Sequence, residues 1–497
     1  MEIINTARLP QADARHRQLC PGRLRRGPPC RGALPWWLAL VLLAGVTAGC
    51  RTYTTQSREM TTAWAAGDAA AAARAFGRRA EQKAGSKDAV IWHLEAGAAA
   101  RAAGGFSESN RHFDAAAARM DEYERKAKVR LGSEAAAIFS NQQNLPYEGR
   151  SYDKIMLHTY KALNYLVLEQ PDRSRPELIR AYQRQQDAVA ENKRRIEAAT
   201  EAARNSGHGD IVERTRADPA FNRAIAGLTR NLEGFQVYAD YVNPFTVYLD
   251  GLYFLHAGSG ASDLERALLS LRRVAQVTGS CPAVAADLSL AEAAAAGRPL
   301  NHLPLTYVFF ETGRAASREQ VRIDIPILVA DVSYVGAAFP QLVFHGDHAP
   351  SLTVEAGGER QTTVLVASMD AIIARDFKDE LPAIITKTLI STVAKAAAGW
   401  AVSDAARRQD DSLGVLARLV TAAVQAAMNI ADTRSWTTLP KEFQVARVNT
   451  PANRSVTLTV PGQAPVTVAL IDGVVNVVYV KSVRAGGPLW INQFRLK

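Results

Sequence analysis

Residues 61–120, TTAWAAGDAAAAARAFGRRAEQKAGSKDAVIWHLEAGAAARAAGGFSESNRHFDAAAARM, repeat themselves at a shift of 37: Gly67 maps on Gly104, Phe76 on Phe113 and Ala80 on Ala117. A period of this size marks stacked helical hairpins. A glycine reverses the chain, a small residue lets two helices approach, and an aromatic ring fills the gap between neighbours. In the second unit Gly97 stands seven residues before Gly104, with Phe106, Phe113 and Ala116 following. A third unit runs through Tyr160, Ala162, Tyr165 and Leu168, is expected to break at Pro171 to Pro176, and returns with Leu178, Ala181 and Tyr182. A fourth is Tyr248, Leu249, Asp250, Gly251 and Leu255, then a Gly258 to Gly260 turn, then Ala267, Leu271 and Val274 at helical spacing.

This array resembles a degenerate tetratricopeptide pattern. One hairpin cannot hide its own apolar face, so the units must stack, and stacking makes a concave surface. The functional expectation is a groove that holds a protein or peptide partner, with Phe113 and Tyr165 in it. The alternative is an array that packs against the chain's own C-terminal part and binds nothing, since fold does not dictate function.

Downstream, residues 183–204 turn to Glu, Lys, Arg and Ala and read as a long solvated helix with i, i+4 ion pairs. Asn205 to Gly209 punctuates it, and Asp218-Pro219 starts the next helix. At Gly297-Arg298-Pro299 the period changes from helical to alternating. Residues 306–310 and 321–325 read as strands joined through Gly313, and residues 351–355 and 362–366 as a hairpin about Gly357-Gly358. Strands return at 455–460, 466–470, 474–480 and 490–494. Two apolar helices are inserted between these groups. The first, residues 369–402, is expected to kink or restart at Pro382. The second, residues 413–431, contains a single charge, Arg418, and draws a narrow polar stripe through Thr421, Gln425 and Asn429, which suits a buried central helix better than a membrane span.

Upstream, residues 34–50 form a short apolar stretch closing on Thr47-Ala48-Gly49-Cys50, behind Arg23, Arg25, Arg26 and Arg31. This is the layout of an export signal with small residues at its cut, here before Cys50. A thiol at that position is the nucleophile that accepts a diacylglyceryl group. Pro35 and the arginines leave too few apolar residues for a spanning helix, which needs about 20. The formal charge of +10 falls to +5 once residues 1–49 are removed, so nothing in the balance calls for nucleic acid. Of the four cysteines, Cys20 and Cys30 leave with the signal and Cys50 carries lipid. Cys281 then stands alone, expected to be buried and inert, with no intramolecular disulfide possible.

Several segments together resemble one group of proteins: residues 160–166 (YKALNYL), Asn243-Pro244-Phe245, residues 307–313, Ala338-Phe339-Pro340, Met369-Asp370-Ala371, Leu381-Pro382-Ala383-Ile384, and residues 431–436 (ADTRSW). The chain is similar to an uncharacterised family of Gram-negative bacterial lipoproteins with tetratricopeptide-like repeats. That resemblance implies an outer-membrane lipoprotein, since Arg51 rather than Asp follows Cys50. It also implies company with lipoproteins of the curli-secretion and penicillin-binding-protein-activator kind. It supplies no activity and no catalytic residue.

The usual catalytic signatures are missing: no GxSxG, no phosphate loop, no HExxH and no paired CxxC. His345-Gly346-Asp347-His348 has the residue types of a metal site and is equally a polar turn between strands. His93 and His112 are placed to meet across adjacent helices. Asp370, Arg375, Asp376, Lys378, Asp379 and Glu380 crowd one helix start, where acidic groups answer the helix dipole and paired carboxylates serve acid–base work. Arg434-Ser435-Trp436 is expected to join helix to sheet, Trp436 filling a core gap and Arg434 capping carbonyls. Partner recognition by Arg434 and Trp436 is the sharper alternative.

The sequence thus predicts an α+β protein: a signal peptide over 1–49, tetratricopeptide-like helical repeats over 50–203, a linker with a further helical repeat over 204–298, and an α+β domain over 299–497. Its expected role is that of a scaffold or adaptor on the periplasmic side of the outer membrane, tethered through lipidated Cys50 and engaging an envelope protein, without cofactor, metal or catalytic residues. The alternative is an envelope enzyme acting on cell-wall material.

Overall fold

Alanine-rich helices with one apolar face cannot stand alone in water, and here they are layered on a sheet. The computed structural model describes residues 52–129, 142–207, 209–235, 243–300, 303–329, 332–408 and 430–497. The export stretch, Cys50 and the apolar run up to residue 429 lie outside the described residues.

The helices come in pairs: α1 (Tyr53–Ala65) with α2 (Ala69–Gln82), α3 (Ala89–Ala102) with α4 (Phe106–Val129), and α5 (Ser151–Val167) with α6 (Pro171–Asn205). Thr52 and Asp68 cap α1 and α2 by accepting backbone N–H bonds from Thr55 and Ala71. Gly67 and Gly104, the two glycines 37 residues apart, turn the chain at φ +86° and +83°, a left-handed backbone that costs glycine little. After α7 (Gly209–Ala217), Asp218 caps α8 (Pro219–Thr229) through the Phe221 N–H, with Pro219 in the first turn where its missing donor is harmless. Then follow α9 (Pro244–His256), α10 (Ala261–Thr278) and α11 (Pro282–Ala295). Pro171 to Pro176 do not break the chain as expected. Pro171 opens α6 and Pro176 sits near its start, where it removes a single hydrogen bond from a helix of 35 residues.

Helices α3 and α9 are apolar on most faces, and both are buried along nearly their whole length, as is α5. They are covered by amphipathic helices on one side and by strands on the other. Close approach of α3 and α4 depends on Gly97, where a Cβ would stand 2.5 Å from Phe113 Cε1. Phe113 is fully buried and has nowhere to go. Gly97→Ala is therefore expected to destabilise the fold by about 1–3 kcal/mol through overpacking, read as a lower urea midpoint at unchanged denaturant slope.

The strands form three sheets. Five strands run in the order β11 (Trp490–Arg495), β10 (Val475–Ser482), β1 (Leu305–Thr312), β7 (Glu442–Asn449), β6 (Val364–Ser368). Four run in the order β5 (Glu359–Thr362), β4 (Thr353–Ala356), β8 (Ser455–Thr459), β9 (Val466–Ala469). β2 (Ser317–Val329) and β3 (Val332–Val343) make a separate hairpin. β1 is central, parallel to β10 with Phe309 beside Tyr479, and antiparallel to β7 with Phe309 beside Val445. Its side chains alternate: Val308 and Phe310 join Leu352, Val354, Val456 and Leu458 in a core between the two larger sheets, while Tyr307 and Phe309 turn to the helices. The larger apolar cluster runs from Trp64 and Phe76 through Tyr160 and Phe245 to Phe309 and Tyr479, so helices and strands share one core.

Some expectations are corrected. β1 and β2 are not neighbours, because β2 leaves to pair with β3. The predicted strand over 362–366 is divided: residues up to Thr362 belong to the β4–β5 hairpin, and β6 from Val364 crosses to the five-stranded sheet. The first apolar helix, α12 (Met369–Arg407), runs through Pro382 without restarting. Packing along α6 and β3 holds it across the lost hydrogen bond. Among the described residues no helix is long and apolar enough to cross a membrane.

Candidate functional site

One buried network of charges lies where residues 430–438 pass between helices and strands. Arg434, with its side chain 2% exposed, ties this segment to both sides. Its guanidinium donates to Asp432 from Nε and Nη2, each at 2.8 Å, to Asp88 at 2.8 Å, and to the carbonyls of Leu145 at 2.9 Å and Gln142 at 3.2 Å. The planar fork suits a bidentate carboxylate and leaves donors for the carbonyls. Two residues on, Trp436 places its ring 5.8 Å from Phe113 and 5.9 Å from Tyr160, edge on, and its Nε1 donates to Thr438 at 2.8 Å.

Glu95 on α3 completes the seam. Its carboxylate accepts from Tyr53 at 2.9 Å, from the Thr437 N–H and hydroxyl at 2.7 and 2.6 Å, and from the Thr438 N–H at 3.1 Å. Burial raises its pKa although these four donors oppose the shift. Nothing in its position in the sequence marks Glu95 except that it is the lone acid in a helix of apolar residues.

Of the residues singled out from sequence, Phe113 and Trp436 meet, Arg434 lies beside them, and Tyr165 does not join. Tyr165 sits at the far end of α5 beneath Arg173, whose guanidinium carbon lies 4.6 Å from the ring centre. All four are buried inside the chain itself. A partner would have to displace the chain's own strands or loops to touch them. Arg434 donates to the Leu145 and Gln142 carbonyls and Trp436 fills the core, while the helix expected just ahead of them lies outside the described residues.

Beside the seam, Glu380 and Asp376 on α12 face Arg318 of β2 and Arg150 at the start of α5. Arg318 Nη2 donates to Glu380 at 2.7 Å, and Arg150 Nε lies 3.7 Å from the same carboxylate. Burial pushes Glu380 up, but Arg318, Arg150 and Arg195 outweigh it and hold the carboxyl well below its usual range. Asp376 goes the other way, raised by burial and by the Glu380 charge. Two neighbouring carboxyls whose pKa values are pushed apart have the layout of an acid–base pair. Its groups are nonetheless locked among arginines, and a catalytic acid must reach its substrate.

The remaining candidates separate. His345 Nε2 lies 3.1 Å from the Ser317 hydroxyl, His348 Nδ1 lies 3.0 Å from the Gly346 carbonyl, and Asp347 accepts from the Ala485 N–H. These three side chains thus face different partners, and among the described residues no three metal-ligating groups converge. Cys281 is buried, and burial raises its thiol pKa. His93 and His112 do meet, with Nδ1 atoms 3.1 Å apart. Only one of the two can donate there, so the pair prefers to be neutral. Burial lowers both imidazoles to about 4, helped at His93 by His112, Arg111 and Arg119 and at His112 by Arg111, with Glu81 opposing at each; Glu108 lies 3.7 Å from His112. With native pKa values below the unfolded value, the unfolded chain binds more protons between pH 6.5 and 4. Stability should therefore fall as pH drops through that window, by about 2 kcal/mol after allowance for screening. The check is the urea midpoint at pH 7 and 4.5, and a His112→Gln variant whose pH dependence equals that of the wild type would refute the assignment.

No family model, curated protein or solved structure matches the chain.

Proposed function

We propose that this chain is a lipid-anchored scaffold or adaptor on the periplasmic side of the outer membrane, binding a protein or peptide partner during envelope assembly through tetratricopeptide-like helical repeats. The observation that carries the reading is the export stretch ending at Cys50, followed within three residues by an ordered body. Thr52 already caps α1, and Tyr53 is buried against Glu95. With Cys50 acylated, a tether of two residues reaches no more than about 7–10 Å, so the start of α1 is held close to the bilayer surface. More than one acyl chain makes such anchoring stable where a single chain is marginal.

The test is Cys50→Ser. The wild-type mature protein is expected to begin at Cys50, to carry the mass of its acyl chains, and to stay in the membrane fraction through salt and carbonate washes. The variant should appear in the soluble periplasmic fraction. A native N-terminus upstream of Cys50 with no added mass overturns the proposal. In-cell crosslinking from exposed positions of α6 and α10 then reads the adaptor role, which requires a reproducible envelope partner.

A further inference from the structure

Residues 431–436 belong to no helix or strand, yet Arg434, Ser435 and Trp436 are buried. Buried backbone must still find hydrogen-bond partners, and here side chains remote in sequence supply them. The Glu95 carboxylate takes the Thr437 and Thr438 N–H groups, one on each oxygen, at 2.7 and 3.1 Å. Arg150 Nη1 donates to the Arg434 carbonyl at 2.6 Å. The Arg434 side chain meets Asp88 at 2.8 Å, and the Trp436 ring stands against Phe113 and Tyr160.

This is the way a groove holds an extended peptide: its main chain is read by hydrogen bonds, and alternate side chains enter separate pockets. The two alternate side chains here, Arg434 and Trp436, are of the types that most often anchor protein interfaces. Asp432 serves the same end from within the segment, since it holds the guanidinium on both oxygens while Asp88 takes Nη1. The receiving groups all sit on α3, α4 and α5 or at their starts. We propose that this face of the helices is a receptor for an extended segment of a partner protein, with arginine two residues ahead of tryptophan, and that residues 432–438 occupy it in cis until such a partner displaces them. The inference rests on the reading that the helical repeats bind a protein partner, and it does not depend on lipidation of Cys50. A segment tethered in cis competes at an effective concentration in the mM range or above, so the site is closed to weak ligands.

The experiment titrates a labelled peptide of residues 431–439 into the full mature chain in detergent, followed by fluorescence anisotropy. In Trp436→Ala the cis competitor is weakened, and the peptide is expected to bind with a Kd on the order of 10 μM. The wild type, whose own segment holds the face, should bind it at least about 100-fold more weakly. Peptides carrying Arg434→Ala or Trp436→Ala should each lose about tenfold or more. Glu95→Gln, added to the Trp436→Ala chain, should weaken the native peptide by about tenfold. Circular dichroism and cooperative urea unfolding establish that each variant is folded; if Trp436→Ala is not, Trp436→Phe takes its place, with an affinity between the two. No saturable binding to a folded variant, equal affinity in the wild type, equal binding of a scrambled peptide, or indifference to Glu95→Gln overturns the proposal. So does a wild-type dimer that Trp436→Ala dissolves, which would put the segment of a second copy on this face. Failure to find a crosslinked partner in cells, with the peptide bound as expected, counts against the adaptor reading and leaves the receptor face standing.

Discussion

Arg434→Ala is expected to lower the stability of the folded chain by about 3–5 kcal/mol, the cost of breaking a buried ion pair by removing one partner. Deletion would strand Asp432, whose carboxyl is pushed up by burial but held below its usual range chiefly by Arg434. It would also leave Asp88 without its cation and the carbonyls of Leu145 and Gln142 without their donors. Arg434→Lys should recover only part of the loss, because a single ammonium cannot serve two carboxylates and two carbonyls in one plane. Urea unfolding reads both variants. A midpoint shift in Arg434→Ala worth less than about 1 kcal/mol, the range of an exposed pair, would show that the seam does not depend on this side chain. Arg434→Ala combined with Asp432→Asn should be less damaging than the sum of the two, since the second change removes the stranded charge.

The helical half was legible because its signals are local. The spacing of Gly67 and Gly104 exposes two turns, and Asp218-Pro219 is a helix start whose side chain does cap, whereas the equivalent cap at Asn243 is not among the expected helix starts. His93 and His112 are expected on adjacent helices, and the hairpin does bring them together. Strand existence was readable for the same reason, from alternation in β1, β4, β8 and β10.

Pairing was not readable, because it is a property of distant segments. β7, with its EFQVARVN alternation, is as plain a strand as β8, yet it is overshadowed by the conspicuous Arg434 and Trp436 just ahead of it. β3 was hidden by the Gly336 to Pro340 run, whose small residues and proline weaken any strand signal. The candidate site was legible in its aromatic and arginine residues and not in its acids. Glu95 carried one signal, as the single carboxylate in a helix otherwise made mostly of Ala, Val, Ile, Trp and Leu, and a buried carboxylate must find donors. Arg150 and Arg318 lie in unremarkable surroundings, and only the fold brings them to Glu380.

Trp436→Ala is expected to cost about 3–5 kcal/mol, the range for truncating a large buried aromatic side chain. The ring is 1% exposed and touches Phe113 from α4 and Tyr160 from α5, so no neighbour is free to fill the space. Trp436→Phe should cost less, because a smaller ring still meets Tyr160, but the Thr438 hydroxyl then loses its indole donor. A double-mutant cycle with Phe113→Leu separates packing from the general loss. Direct aromatic contact predicts a coupling of about 0.5–1.5 kcal/mol between the two sites, whereas additivity would mean that each ring packs against its own half of the molecule. The distinction bears on what the seam is for. If Trp436 and Phe113 are coupled, helices and strands respond as one body to a load applied at either. The scaffold proposed above would need that property for partner binding on its helices to be felt by its strands.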